Sequence, residues 1–430
     1  MKVQRFRIPQ KAWYGDTDLE LTFPASFTVH YHSMPVEDRP RLTHQGMRRA
    51  FQQPIGTLPI SELARGKKNV IIVFDDMTRP TRAYEIVPTV LEELRLGGVD
   101  DMAIRFLCSL GTHGAMSRED FAKKLGEAVL ERFPVYNHNP YENCTLLGTT
   151  SFGTPVSINS EFVNCDLKIG IGCIVPHPTR GFGGGGKVIM PGIAHIDTIE
   201  ANHANVAKSG PSKDTSSVGA LPDYPSSVGR GKYEGNVMRL DIEEALRMAK
   251  LDVIVNAIVN LRRETTDLFV GDPIEAHVAG VKVAAEVYST QPARDMDIVV
   301  ANAFSKANEA AIGVYLAVPC LKNSGGDLVM VINAPDGQVT HYLRRSFGKS
   351  IGGRLWNPRR ELPPNMNRFF ILSEYPDYAG WEWFAPPDKI IWRKNWRQIL
   401  AELLKVHGEK AHVSVFPDAT IQYVKPGVVA

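Results

Sequence analysis

Three short apolar runs, residues 69–74, 103–107 and 167–175, each break off into a polar loop, and this repeated rhythm limits the chain to few folds. Residues 69–74, Asn-Val-Ile-Ile-Val-Phe, show no polar alternation, which is the pattern of a strand covered on both faces. The run ends in Asp75, Asp76, Met77, Thr78, Arg79, Pro80 and Thr81. A helix is expected over 84–96, with Ile86, Val87, Val90, Leu91 and Leu94 on one face, Pro88 tolerated near its start, and Gly97-Gly98 as the stop signal. The second run opens into Ser109-Leu110-Gly111-Thr112-His113-Gly114. The third opens into Pro176-His177-Pro178-Thr179-Arg180 and a glycine run, 181–186, interrupted only by Phe182. Strand, polar loop, helix, strand is the order of a parallel α/β sheet, whose ligands collect outside the carboxyl ends of its strands.

At 430 residues the chain exceeds what one core usually serves. The expected architecture is α/β with two domains, each a mainly parallel sheet flanked by helices, and the active site in the cleft between them. A helix over 242–250 and an apolar run at 253–259 continue the first sheet; a fresh strand near 296–300, after the loop 289–294, opens the second. Helix-like 307–316 and strand-like 328–332 follow. The boundaries read as 1–288 for an N-terminal catalytic and cofactor-binding domain, 295–410 for a C-terminal α/β domain, and 411–430 for a segment expected to return to the N-terminal domain. Residues 209–231, rich in Ser, Gly and Pro, read as an exposed loop beside the cleft. Trp381, Trp383, Trp392 and Trp396 read as packing around C-terminal helices.

With 49 basic against 47 acidic residues there is no global field to attract nucleic acid or an anionic membrane, so neither is expected as a partner and any anionic ligand must be bound locally. Cys108, Cys144, Cys165, Cys173 and Cys320 lack the paired spacing of zinc or iron–sulfur sites and read as reduced thiols. No run approaches the roughly 20 apolar residues that span a bilayer, and the N-terminus lacks an apolar signal core; the expected location is cytoplasmic.

Individual side chains are ambiguous. His113 and His177 each read, alone, as loop histidines bonded to nearby backbone, yet both stand at strand ends from which two imidazoles could converge to exchange protons near neutral pH. Gly183-Gly184-Gly185-Gly186-Lys187 resembles a phosphate loop, but Val188 stands where a magnesium-binding hydroxyl would be needed. His203, in a stretch compatible with a helix, cannot hold a metal by itself. Asp76 and Arg79 default to a salt bridge with each other.

The set says more than its members. Asp76-Met77-Thr78-Arg79-Pro80-Thr81, Gly111-Thr112-His113, Pro176-His177, Gly181-Phe182, Gly184-Gly185, Lys187, Pro191-Gly192 and His203, in this order and spacing, resemble the nickel-pincer-nucleotide lactate racemases across residues 70–205. The resemblance implies a cofactor, the nickel-pincer nucleotide (pyridinium-3,5-bisthiocarboxylic acid mononucleotide nickel), attached covalently at Lys187. His203 would be the protein's metal ligand, in the planar geometry Ni(II) favours. It also implies His113 and His177 as the catalytic acid–base pair, and Asp76, Thr78, Arg79, Gly184 and Gly185 as cofactor-binding residues. The implied partners are a small 2-hydroxy acid substrate and the cofactor-synthesis enzymes.

The chain departs from that family in its second domain. A Tyr and a Lys four apart, the lysine holding the substrate carboxylate, align with Ala310 and Val314, so the expected substrate is a 2-hydroxy acid other than lactate. Lys306, Arg344 and Arg345 are candidates for a replacement anchor. The missing pair also motivates an alternative, a noncatalytic nucleotide- or anion-binding protein on the same scaffold. A nicotinamide-dependent dehydrogenase is weaker, because no Gly-x-Gly-x-x-Gly turn follows the first strand.

Overall fold

The computed structural model describes residues 3–205, 225–347, 351–358 and 361–425. The run 69–74 becomes the strand Val70–Asp75, every residue buried. It lies between Leu167–Cys173 and Ile104–Ser109 in a six-stranded sheet, with Val253–Val259, Thr265–Gly271 and Val135–Asn137 completing the order. Only Thr265–Gly271 runs antiparallel to its neighbour. Because three adjacent parallel strands all end on one side, the loops carrying Asp76, His113 and His177 emerge side by side. The helix expected over 84–96 is Ala83–Leu96, burying Ile86, Val87, Val90 and Leu94 against this sheet.

The second sheet is entirely parallel, in the order Ile390–Arg393, Met366–Leu372, Gly326–Val331, Ile298–Asn302, His412–Phe416 and Thr28–Tyr31. The molecule is thus mixed α/β with two mostly parallel sheets flanked by helices.

Strand pairing divides the chain differently from the boundaries 1–288, 295–410 and 411–430. Thr28–Tyr31 pairs with His412–Phe416, and the hairpin Val3–Gln10/Thr17–Pro24 packs Ile8, Leu21 and Phe23 against Ile298, Val300, Trp396 and Leu403. The N-terminal residues therefore serve the second sheet. The apolar face of that hairpin covers one side of the sheet, a demand invisible in the local pattern. Residues beyond 416 do cross back: Ile421 and Tyr423 sit in the first core, and Arg230 donates to the carbonyls of Ala419, Thr420 and Gln422.

Two further expectations change. The helix-like stretch 307–316 is a 3-10 segment, Ala307–Gly313, broken at Glu309 (φ −129°, ψ 39°), followed by a short α-helix Val314–Ala317. In the loop read at 209–231, residues 209–224 lie outside the described ones, while Gly229–Arg230 forms a parallel bridge to Arg180–Gly181. The tryptophans do pack: Trp381 lies in the second core and Trp396 meets Phe23 edge-on. Among the described residues no helix is long and apolar enough to cross a membrane.

Deleting residues 1–31 should expose the apolar face of the second sheet. We expect backbone amides of Ile298–Asn302 and His412–Phe416 to lose hydrogen-exchange protection while Val70–Asp75 keeps it. Equal loss in both sheets would assign the hairpin to the first domain.

Candidate active site

The carboxyl ends of the first sheet face the second domain across a cleft. Its lining includes Asp76, Arg79, His113, His177, Gly184, Lys187 and His203, together with Arg180, Glu309 and His341. Backbone pairing holds the two walls together: Tyr342 N–H donates to Thr112 O at 2.8 Å and Gly114 N–H to Thr340 O at 3.0 Å.

Asp76 organises the first loop. Its Oδ2 lies 2.6 Å from His113 Nδ1, while Oδ1 accepts from the Thr78 amide at 3.0 Å and from the Thr78 hydroxyl at 2.5 Å. A carboxylate at Nδ1 assigns the neutral imidazole its tautomer, with Nδ1–H donating and Nε2 carrying the lone pair. Burial would raise the Asp76 pKa, but the His113 ring, Arg79 and Thr78 together outweigh it and hold it at about 2. Beneath it, fully buried Lys124 pairs with Asp75 at 2.7 Å and donates to the Asp76 and Arg79 carbonyls at 2.9 and 3.0 Å.

His177 is wired the opposite way. Its Nδ1 accepts from the backbone N–H groups of Thr179 (3.2 Å) and Arg180 (3.3 Å), so Nε2 carries the proton of the neutral ring. Burial, then the neighbouring basic groups Lys187 and Arg180, push its pKa well below the ordinary imidazole range. The small sheet that pairs Pro176–His177 with Arg180–Phe182 fixes this geometry.

Lys187 sits on a 3-10 turn, Gly185–Val188, and lines the cleft. Burial and the cations Arg180, Arg79 and Lys306 drive its amine well below the ordinary lysine pKa. Gly192 sets its position. A Cβ there would lie 1.9 Å from Ser109 Oγ and 2.2 Å from Val188 O, so only glycine lets this turn close onto the strand bearing the His113 loop. Gly192 N–H then donates to Lys187 O at 3.1 Å, and Gly192 O accepts from Gly111 N–H at 2.8 Å.

His203 lies on the helix Ile196–Asn205. Its Nδ1–H donates to Ile199 O at 2.7 Å, leaving the Nε2 lone pair to receive Arg180 Nη2 at 3.0 Å. A cation-seeking nitrogen thus faces a cationic donor. Burial and Arg180 keep this ring neutral, with its pKa well below the ordinary value.

Thr78 and Gly185 do not line the cleft. Thr78 is buried and braces Asp76, also accepting from Arg79 at 2.7 Å. Gly185 packs away from the cleft, where an added Cβ would meet Arg239 and His277 at 2.6 Å. Ala310 and Val314 are buried in the second core. Of the three suggested anchors, Arg345 is tied to the Val339 carbonyl at 2.9 Å and to that of Gln338, Arg344 is not part of the lining, and Lys306 is buried behind it against Glu309 at 2.8 Å. Arg79 reaches the cleft instead and pairs with Glu309 at 2.8 Å.

Glu309 and His341 went unread in the sequence. Each lies in a stretch without a strand–loop signature, and only the approach of the second domain brings it to the cleft. His341 lies edge-on to His113, ring centroids 5.3 Å apart, and edge-on to Trp383 at 5.8 Å.

A model of the lactate racemase N-terminal domain matches residues 14–215. A lactate racemase from Thermoanaerobacterium thermosaccharolyticum is 32% identical over 256 residues, 59% of this chain and 56% of that protein. Another, from Lactiplantibacillus plantarum, is 30% identical over 295 residues, 67% of this chain and 66% of that protein. The alignments thus span less than two thirds of either relative. Among solved structures, the lactate racemase apoprotein from T. thermosaccharolyticum superposes with a TM-score of 0.69 at 23% identity, covering 98% of this chain and 100% of that one. A protein from Thermotoga maritima superposes at 0.63 with 17% identity, covering 90% and 100%. Both share the fold.

The depressed Asp76 pKa has a pH consequence. Its stabilisation is complete above the ordinary value of 3.8 and is lost as pH falls through about 2, an effect of ~2 kcal/mol. In denaturant titrations across that window, Asp76→Asn should lose less stability with falling pH than the wild type. Parallel pH profiles would contradict the pairing with His113.

Proposed function

We propose that the chain, whose residues 14–215 match the lactate racemase N-terminal domain, is a member of that family and a racemase or epimerase of a 2-hydroxy acid other than lactate. It would work by proton-coupled hydride transfer through a 2-oxo acid. The observation that carries the reading is the convergence of His113, His177, Lys187 and His203 on one cleft.

The residues fit a nickel-pincer nucleotide. Lys187 offers an amine whose burial among cations favours the neutral, nucleophilic form, suited to a permanent amide-type link. His203 offers an Nε2 lone pair already facing a cation, and Gly184 adds no side chain to the wall. A single imidazole donor requires that the other ligands come from the cofactor itself. When bound, the cofactor supplies the acceptor and donor of the hydride.

The protein handles the protons. The α-hydrogen of a 2-hydroxy carboxylate is a poor acid, since its loss as a proton would set a second negative charge beside the first; departure as hydride avoids this. His113 Nε2 takes the hydroxyl proton, with Asp76 holding the ring and stabilising the imidazolium. His177 supplies a proton to the 2-oxo oxygen when the hydride returns to the other face. In the protein without ligands, burial is the main obstacle to protonating His177, followed by the basic groups around it. An incoming carboxylate would favour a protonated ring. In the reverse direction the histidines exchange roles. Arg79 is the cation positioned to hold the substrate carboxylate.

A noncatalytic reading rests on the missing Tyr/Lys pair, but Glu309 and His341 equip the second-domain wall with other polar groups. Protein produced with the cofactor-synthesis enzymes should carry a mass adduct that Lys187→Ala lacks; an unmodified wild-type chain would contradict the attachment. His113→Ala and His177→Ala should each lower turnover by ~10²–10⁴-fold while keeping the adduct. The readout is chiral chromatography of D- and L-2-hydroxy acids, and a pure binder would leave every enantiomer unchanged.

A further inference from the structure

The proposed racemase reading leaves one charged group in the cleft without a task. Glu309 stands where the 3-10 segment Ala307–Gly313 breaks, and the break turns its carboxylate to the cleft wall. Burial would raise its pKa, yet Lys306 and Arg79 more than offset this and hold it well below the ordinary carboxylate range, so it is an anion at neutral pH. Both partners bind the same oxygen: Arg79 Nη1 and Lys306 Nζ each lie 2.8 Å from Oε2. Oε1 has no hydrogen-bond partner among the described residues. An ionised oxygen at a ligand cleft strongly favours a donor.

We propose that Glu309 is a specificity-determining residue whose Oε1 accepts a hydrogen bond from a substrate hydroxyl beyond C2, so that the preferred substrates are 2,3-dihydroxy and longer polyhydroxy acids. The inference rests on the cleft being a 2-hydroxy acid site, and it identifies the class of acid. Three alternatives fit less well. A methyl group, as lactate carries at C3, would desolvate the carboxylate oxygen and return nothing. A second substrate carboxylate would meet a like charge at Oε1. An ammonium group would approach an anion already shared by two cations, Arg79 and Lys306. A neutral hydroxyl satisfies the oxygen without adding charge. Arg79 and Glu309, paired to each other, then read two neighbouring groups on the substrate, the C1 carboxylate and the C3 hydroxyl. Lys306, buried behind the wall, is a positioning residue that fixes Oε2 and so aims Oε1. A site built to bond a hydroxyl rejects the analogue lacking it far more strongly than an apolar pocket rejects an extra methylene.

The test compares 2,3-dihydroxypropanoate with lactate, both enantiomers of each, by calorimetric binding and by chiral chromatography of turnover. Wild type, Glu309→Gln and the double variant Lys306→Met/Glu309→Leu are measured; the double variant removes both buried partners and leaves neither unpaired behind the wall. Wild type should favour the dihydroxy acid by roughly tenfold or more in affinity and in kcat/KM. Glu309→Gln, which keeps an acceptor oxygen, should retain part of that ratio, and the double variant should lose it. Equal or tighter binding of lactate by wild type, or an unchanged ratio in the double variant, overturns the assignment. If the binding preference and its loss are seen while no enantiomer is interconverted, Glu309 keeps its role and the racemase reading falls.

Discussion

A lysine amine enclosed beside two arginines and a second lysine is an expensive arrangement, and the rest of the cleft is organised around it. Burial, then Arg180, Arg79 and Lys306, lower the pKa of Lys187 well below its ordinary value, and each of these cations has a second duty. Arg180 faces His203 Nε2, while Arg79 and Lys306 converge on Glu309. The negative side of the balance is Asp76 and Glu309, one on each wall. Two imidazoles with opposite tautomers complete the site, His113 presenting a lone pair and His177 an N–H. That polarity follows from ordinary hydrogen bonding to a carboxylate in one case and to backbone amides in the other.

The fold makes this clustering possible. Three neighbouring parallel strands deliver three loops to one edge, and Gly192 lets the lysine turn close against the second of them. The opposite wall is brought in by backbone pairing of residues 340–342 with residues 112–114. Strands are rigid and their ends are near one another, so groups separated by some 130 residues in sequence, Asp76 and His203, line a single cleft.

The parts legible in the sequence are those with local signatures. An uninterrupted apolar run marked the buried strand Val70–Asp75 and a mainly apolar one Leu167–Cys173, and the loops after them carried residues that line the first wall. Thr78 and Gly185 belong to the same motifs yet face inward, because motif membership says nothing about which way a short side chain or a glycine packs. The allotment of residues 3–31 to the second sheet depends on partners almost 400 positions away, His412–Phe416, and leaves no mark in a local pattern. Glu309 and His341 were hidden for the same reason. The apolar-looking stretch around Glu309 reads as helix, and only tertiary packing breaks it there.

The most direct test of the account is a crystal structure of protein isolated with its cofactor-synthesis enzymes, with diffraction recorded at the nickel absorption edge. The account predicts an anomalous peak within bonding distance of His203 Nε2, Arg180 displaced from that nitrogen, and electron density continuous from Lys187 Nζ into a ligand. Nickel bound elsewhere, or a loaded protein in which Arg180 still occupies His203 and the Lys187 amine ends free, would contradict it.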